Sequence, residues 1–199
     1  LINSNLSDNQ SDTSGGGAYL LYSDLICSGD SEIANNAAMS AGGGVMLKDS
    51  DIQSCTLVNN AADMGGGIAV ETYSSGYAQT ILDCSIENNT AISWGGGVYS
   101  DLALLYVTDG RISDNSAYYG GGVYGNNGST VMLENSRIVS NEAVDTGGGI
   151  RLVSESVTGT NIDLGDGSED NIPDDIAVYG TDSAYVGWGN ATDFSCTTI

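Results

Sequence analysis

The chain has 199 residues, enough for one ordinary domain or one repeat array, and its 26 acidic side chains face four basic ones and no histidine, a formal net charge of −22. That balance excludes a nucleic-acid binder, because a phosphate backbone is held by clustered Lys and Arg, and it repels polyanions such as polyuronates unless divalent cations intervene. Glycine supplies 29 residues without recurring at every third position, which excludes collagen, and no apolar run approaches the roughly 20 residues of a membrane span.

The chain opens at Leu1-Ile2-Asn3-Ser4-Asn5 inside a repeat, without the charged and apolar regions of a targeting signal. A Gly-Gly-Gly triplet then starts at Gly15, Gly42, Gly65, Gly95, Gly120 and Gly147, in steps of 23 to 30 residues. Five or six residues before each triplet stands an asparagine: Asn9, Asn36, Asn60, Asn89, Asn115 and Asn141. An aliphatic residue precedes each asparagine by three positions (Leu6, Ile33, Leu57, Ile86, Ile112, Ile138), and Ser or Ala follows two positions after it.

After each triplet comes a short alternating trio, such as Val45-Met46-Leu47 or Val98-Tyr99-Ser100, whose first residue is expected to face inward. Strands this short cannot bury their apolar side chains alone, but coils stacked in register merge them into one core. The pattern predicts an all-β, right-handed parallel β-helix of about six to seven coils, with 1–156 forming the coils and 157–199 a terminal coil and C-terminal cap. An inward asparagine at each corner can bond to the asparagine of the next coil, building a structural ladder. The triplets lack the Lys and following helix of a phosphate loop.

Cys55 and Cys84 each stand five residues before a ladder asparagine, so they share a position in consecutive coils and are the favoured disulfide pair. Cys27 is displaced from that register by Ser28-Gly29-Asp30-Ser31 and could replace either partner, or all three could be buried thiols; Cys196 is distant in sequence. The cysteine usage suits an oxidising compartment outside the cytoplasm. The trio midpoints Tyr19, Met46, Ala69, Tyr99, Tyr124 and Arg151 are expected on one exposed face, with Trp94 and Tyr119 extending it at a corner. Exposed rings there would stack on sugars or dock a partner, against the alternative that they only cover strand backbone.

Beyond residue 152, Asp163, Asp166, Glu169 and Asp170 supply enough oxygens for a calcium site, against the alternative of a solvated acidic turn. Asp83, Asp109 and Glu134 fall at loosely corresponding coil positions and are the carboxylates a glycoside hydrolase would use. No cluster of bases supports them, and Arg111 and Arg137 are expected to pair with neighbours such as Asp109 and Glu134.

Ile86-Glu87-Asn88-Asn89-Thr90-Ala91 followed by Gly95-Gly96-Gly97-Val98 resembles the repeat of the polymorphic outer-membrane protein family, Phe-x-x-Asn followed by Gly-Gly-Ala-Ile, over approximately residues 1–152. Aliphatic residues replace the family's Phe, and no outer-membrane barrel is present in the sequence. The stretch from Asn161 to Ile176, with Asp170-Asn171-Ile172-Pro173-Asp174-Asp175, resembles the terminal coil of bacterial secreted β-helix proteins; Pro173 suits an end piece, and Tyr179, Tyr185, Trp188 and Phe194 would cap the open end. The resemblance implies a pectate-lyase-like β-helix displayed at a bacterial surface as a passenger or adhesin. The resulting expectation is a secreted or cell-surface structural or adhesive module, binding a polysaccharide or protein partner, non-catalytic, with no cofactor beyond calcium. A filament subunit stacking coil on coil and a polysaccharide lyase or hydrolase are the alternatives.

Overall fold

The computed structural model describes residues 1–74, 76–153, 156–165 and 167–179, with the backbone of strands Ser183–Gly187 and Cys196–Thr198. It is a parallel β-solenoid. Each complete coil carries four strands, in the fourth coil Ser85–Glu87, Thr90–Trp94, Val98–Asp101 and Leu104–Thr108. Corresponding strands of successive coils pair in parallel to give four sheets of six, six, eight and seven strands. Six four-stranded coils are followed by part of a seventh, whose strands Ile176–Tyr179 and Ser183–Gly187 extend the third and fourth sheets.

Four kinds of corner turn the chain; the one between the third and fourth strands passes through left-handed Tyr22, Asp49, Leu102 and Asn127 (φ 46 to 55°), and the other three are set as follows by backbone chemistry. Before each of the six repeat asparagines a polar residue takes a left-handed conformation (Asp8, Asn35, Asn59, Asn88, Asp114, Ser140, φ 54 to 59°). Short polar side chains tolerate this region best. A second left-handed column runs through Ser54, Asp83, Asp109, Asn135 and Asn161 between the fourth strand and the next coil. The third corner is the glycine triplet, whose first member has φ of 62 to 70° in all six copies. The second member has no room for a side chain: a Cβ on Gly66 would lie 2.4 Å from the Thr90 carbonyl oxygen.

Ile33, Leu57, Ile86, Ile112 and Ile138 are fully buried in one interior column. Val45, Ile68, Val98, Val123 and Ile150 fill another, so the first residue of each trio does point inward, half-buried Ala18 in the outermost coil being the least covered. The asparagines form the expected ladder. From Asn36 to Asn141 they are at most 1% exposed, and each backbone N–H and Nδ2 donates to the Oδ1 of the next asparagine at 2.8 to 3.1 Å. Asn9 bonds to Asn36 in the same way but is itself exposed.

A seventh ladder member, Asn171, was invisible in the repeat because Ile172-Pro173-Asp174-Asp175 follows it in place of a small residue and a triplet. It accepts from Asn141 at 3.0 Å, and its Nδ2 donates to the Ile138 carbonyl at 2.8 Å. Leu164 takes the aliphatic position, separated from Asn171 by an inserted segment containing the 3-10 turn Gly167–Glu169.

Candidate functional site

The residues expected to form an exposed aromatic face separate into two groups. Tyr19 is 49% exposed, but Tyr99 and Tyr124 retain only 5% and 6%, and Met46 and Ala69 are completely covered. The cause is the triplet corner. Its glycines bring the end of the second strand beside the start of the third on the outside of the coil, so Met64, Trp94 and Tyr119 lie against Met46, Ala69, Tyr99 and Tyr124 in a second apolar cluster. Trp94 stacks 6.3 Å from Tyr99 and 6.0 Å from Tyr124, with the two tyrosine rings 6.0 Å apart. Burial pushes the Tyr99 hydroxyl up to about 12. The midpoint column is therefore mainly an external core, and the expectation of one exposed binding face fails for Tyr99 and Tyr124.

Arg151 continues this column one coil beyond Tyr124. Its guanidinium lies 3.9 Å from the centre of the Tyr119 ring, and its Nη1 donates to Thr146 Oγ1. With Nε buried and without a hydrogen-bond partner, the ring face supplies much of what holds the charge.

Among the exposed apolar side chains, one set lies on the second strand of successive coils. The residue after the buried small side chain points outward: Ile92 is 76% exposed, Tyr118 46% and Val144 75%, on three consecutive coils. Tyr118 meets Tyr119 edge to face at 4.6 Å, joining this stripe to the external cluster. The ladder beneath holds it in place: Thr90 opposes Ser116, and Ser116 opposes Glu142. Neither periodicity nor charge marked these positions in the sequence. The available signal was the side-chain alternation around the invariant small residue.

The carboxylate candidates are corner residues. Asp83 and Asp109 occupy the left-handed column, with φ of 51 and 54°, whereas Glu134 sits one residue earlier, on a strand opposite Thr108. Asp83, Asp109, Asn135, Arg111 and Arg137 do line an open depression of about 340 Å³. The arginines have other partners than expected, however. Arg111 pairs with Glu87 at 3.4 Å, and Arg137 with Asp163 at 2.6 Å and Glu169 at 3.0 Å.

Those contacts also correct the calcium reading. Asp163 and Glu169 converge on Arg137, which neutralises them where a cation was expected; Asp166 lies outside the described residues, and Asp170 joins no acidic or thiol group of three arranged to hold a metal ion among the described residues.

The disulfide joins Cys27 to Cys55, with Cα atoms 4.9 Å apart, and Cys84 is a buried thiol. Counting from the ladder asparagine misplaced Cys27, because the four-residue insertion follows it. The preceding strand is in register, Leu25 opposite Ile52 and Ile26 opposite Gln53, and carries Cys27 to Cys55 before the chain bulges outward. Ser31 then takes the corner position and accepts the Ser4 N–H at 3.2 Å, the part that Cys84 Sγ plays for Cys55.

Four short strands per coil, an internal asparagine ladder and an outward apolar stripe define a β-solenoid repeat protein. Residues 83–101, most of one unit from the Asp83 corner through the triplet to the third strand, match the Chlamydia polymorphic membrane protein repeat. The chain carries a repeat of that type, and the five other units with a glycine triplet share its asparagine and glycine geometry in the structure. No curated protein and no solved structure matches it.

Proposed function

We propose that the chain is a non-catalytic β-solenoid of a bacterial surface that acts as a rigid adhesive module, engaging its partner through the outer face of the second sheet. The observation that carries this is the Ile92, Tyr118 and Val144 stripe, three large apolar side chains exposed on consecutive coils of a chain with net charge −22. Large apolar side chains aligned on one exposed face mark recognition sites. The repeat match supports the placement, since the proteins that give the family model its name are membrane proteins of Chlamydia. The structural work done by Asp83 and Asp109 at the corners supports the non-catalytic part.

The test is a panel of glycans, polysaccharides and host-type surface proteins, with binding and released sugar measured together, with and without calcium. Binding without product release is expected, weakened at least about tenfold in Ile92→Ser/Val144→Ser, since two exposed aliphatic contacts are worth about 1.4 kcal/mol or more. Sugar release by the purified chain overturns the reading.

A further inference from the structure

Three cysteines follow one another at the corner leading from the fourth strand of one coil to the first strand of the next. Cys55 is central: it is bonded to Cys27 on one side, and on the other its N–H donates to Cys84 Sγ at 3.4 Å. The segments after Cys55 and Cys84 are in register, Thr56 opposite Ser85, so these two positions are one coil apart. Their sulfurs are oriented alike, each 3.3 Å from the carbonyl oxygen two residues earlier, Gln53 and Leu82. Both neighbours of Cys55 therefore stand at the separation that a disulfide spans.

We propose that Cys27, Cys55 and Cys84 form an internal exchange site through which the disulfide moves one coil along the solenoid. The Cys84 thiolate attacks Cys55 Sγ, its electron pair forms the Cys55–Cys84 bond, and the Cys27–Cys55 bond breaks with its pair leaving on Cys27. Cys27 takes up the proton that Cys84 releases. One disulfide and one thiol are present before and after, so no oxidant or reductant is consumed.

The consequence is structural. In the first arrangement the bond ties the end of the first coil to the second; in the other it ties the second to the third. The first coil then keeps only its ladder hydrogen bonds and apolar side chains that are half-buried, Leu6, Leu20 and Leu25 among them. Exchange thus loosens the first described coil against the second and ties the second to the third. Burial raises the Cys84 thiol to about 12, which keeps the step slow at neutral pH. Its rate should climb about tenfold per pH unit below that value, because the thiolate is the attacking species.

The experiment uses the full chain without reductant at pH values from about 7 to about 10, followed by acid quench, peptic digestion and mass-spectrometric mapping of linked peptides. A Cys55–Cys84 peptide should accumulate faster as pH rises, with amide hydrogen exchange in the first coil quickening in the same samples. Cys27→Ser, oxidised in air, should link Cys55 to Cys84, and Cys84→Ser should keep the Cys27–Cys55 bond at every pH. Finding only the Cys27–Cys55 link in the unaltered chain at all pH values overturns the proposal, as do two unlinked thiols at Cys55 and Cys84 in the Cys27→Ser protein.

Discussion

Asn89 shows how much one side chain carries in this fold. Its Oδ1 accepts both the N–H and the Nδ2 of Asn60, while its own Nδ2 donates to the Leu57 carbonyl and to Asn115 Oδ1, all at 2.9 to 3.0 Å. Removing it strands groups on two coils where no water reaches, and each buried unsatisfied group costs about 1 to 3 kcal/mol. Asn89→Ala is expected to lower the unfolding free energy by about 3 kcal/mol, whereas Asn9→Ala, whose amide faces solvent, should cost about 1 kcal/mol or less; urea denaturation of the two variants checks the contrast. Gly66 is constrained by space. A Cβ there meets the carbonyl oxygens of Thr90 and Gly96 at 2.4 and 2.6 Å, atoms of the next coil's backbone that cannot move aside singly. Gly66→Ala should cost more than about 3 kcal/mol, and equal urea midpoints for this variant and the parent would refute the close-approach account.

At the scale of the strand, the same trio that lines the interior with Val98 and Val123 turns Tyr99 and Tyr124 outward into a second core. Tyr124→Ala should therefore lower stability by about 3 kcal/mol, in the range for emptying a buried aromatic site, while Tyr19→Ala, half-exposed in the first coil, should change it by less than about 1 kcal/mol. Thermal unfolding distinguishes this from a binding face, where both changes would leave stability alone. The repeat made the ladder, the triplet corner and the interior columns legible, because each depends on one residue type recurring at one place. The outer cluster was not legible: alternation says that Tyr99 faces away from the interior, but whether outside means solvent depends on how sharply the triplet folds the second strand against the third. The disulfide escaped for a related reason. Register was counted back from Asn36 through a bulge that the strand Leu25–Ile26 does not contain. Arg151 escaped too: expected on an exposed face, it is buried with its guanidinium against the face of Tyr119.

For the whole molecule, a net charge of −22 spread along a narrow solenoid makes the placement of each carboxylate matter. Two aspartates near opposite ends of the described coils respond to pH with opposite sign. Burial raises Asp51 above its ordinary value of 3.8; the Thr80 N–H, donating to it at 2.7 Å, works against that, and the charge of Asp24 adds to it. The unfolded chain thus gives up this proton first, and stability falls as pH rises through the ordinary value toward the raised one. Asp163 is the reverse. Burial alone would raise it, but the Gly165 N–H and the Arg137 guanidinium outweigh burial and hold it below 3.8. Its stabilisation is complete above that value and is lost as pH falls through the lowered one. Asp51→Asn keeps an oxygen for the Thr80 N–H and removes the half-buried charge, so it should melt above the unaltered chain at neutral pH; Asp163→Asn should melt below it. Both differences should shrink as the solution is acidified to about pH 2, the Asp51 difference first, because Asp163 keeps its charge to lower pH. Melting curves of the three proteins at the two pH values decide the matter: an Asp51→Asn protein that melts lower at neutral pH would show that the carboxylate stabilises its corner in spite of Asp24 and burial.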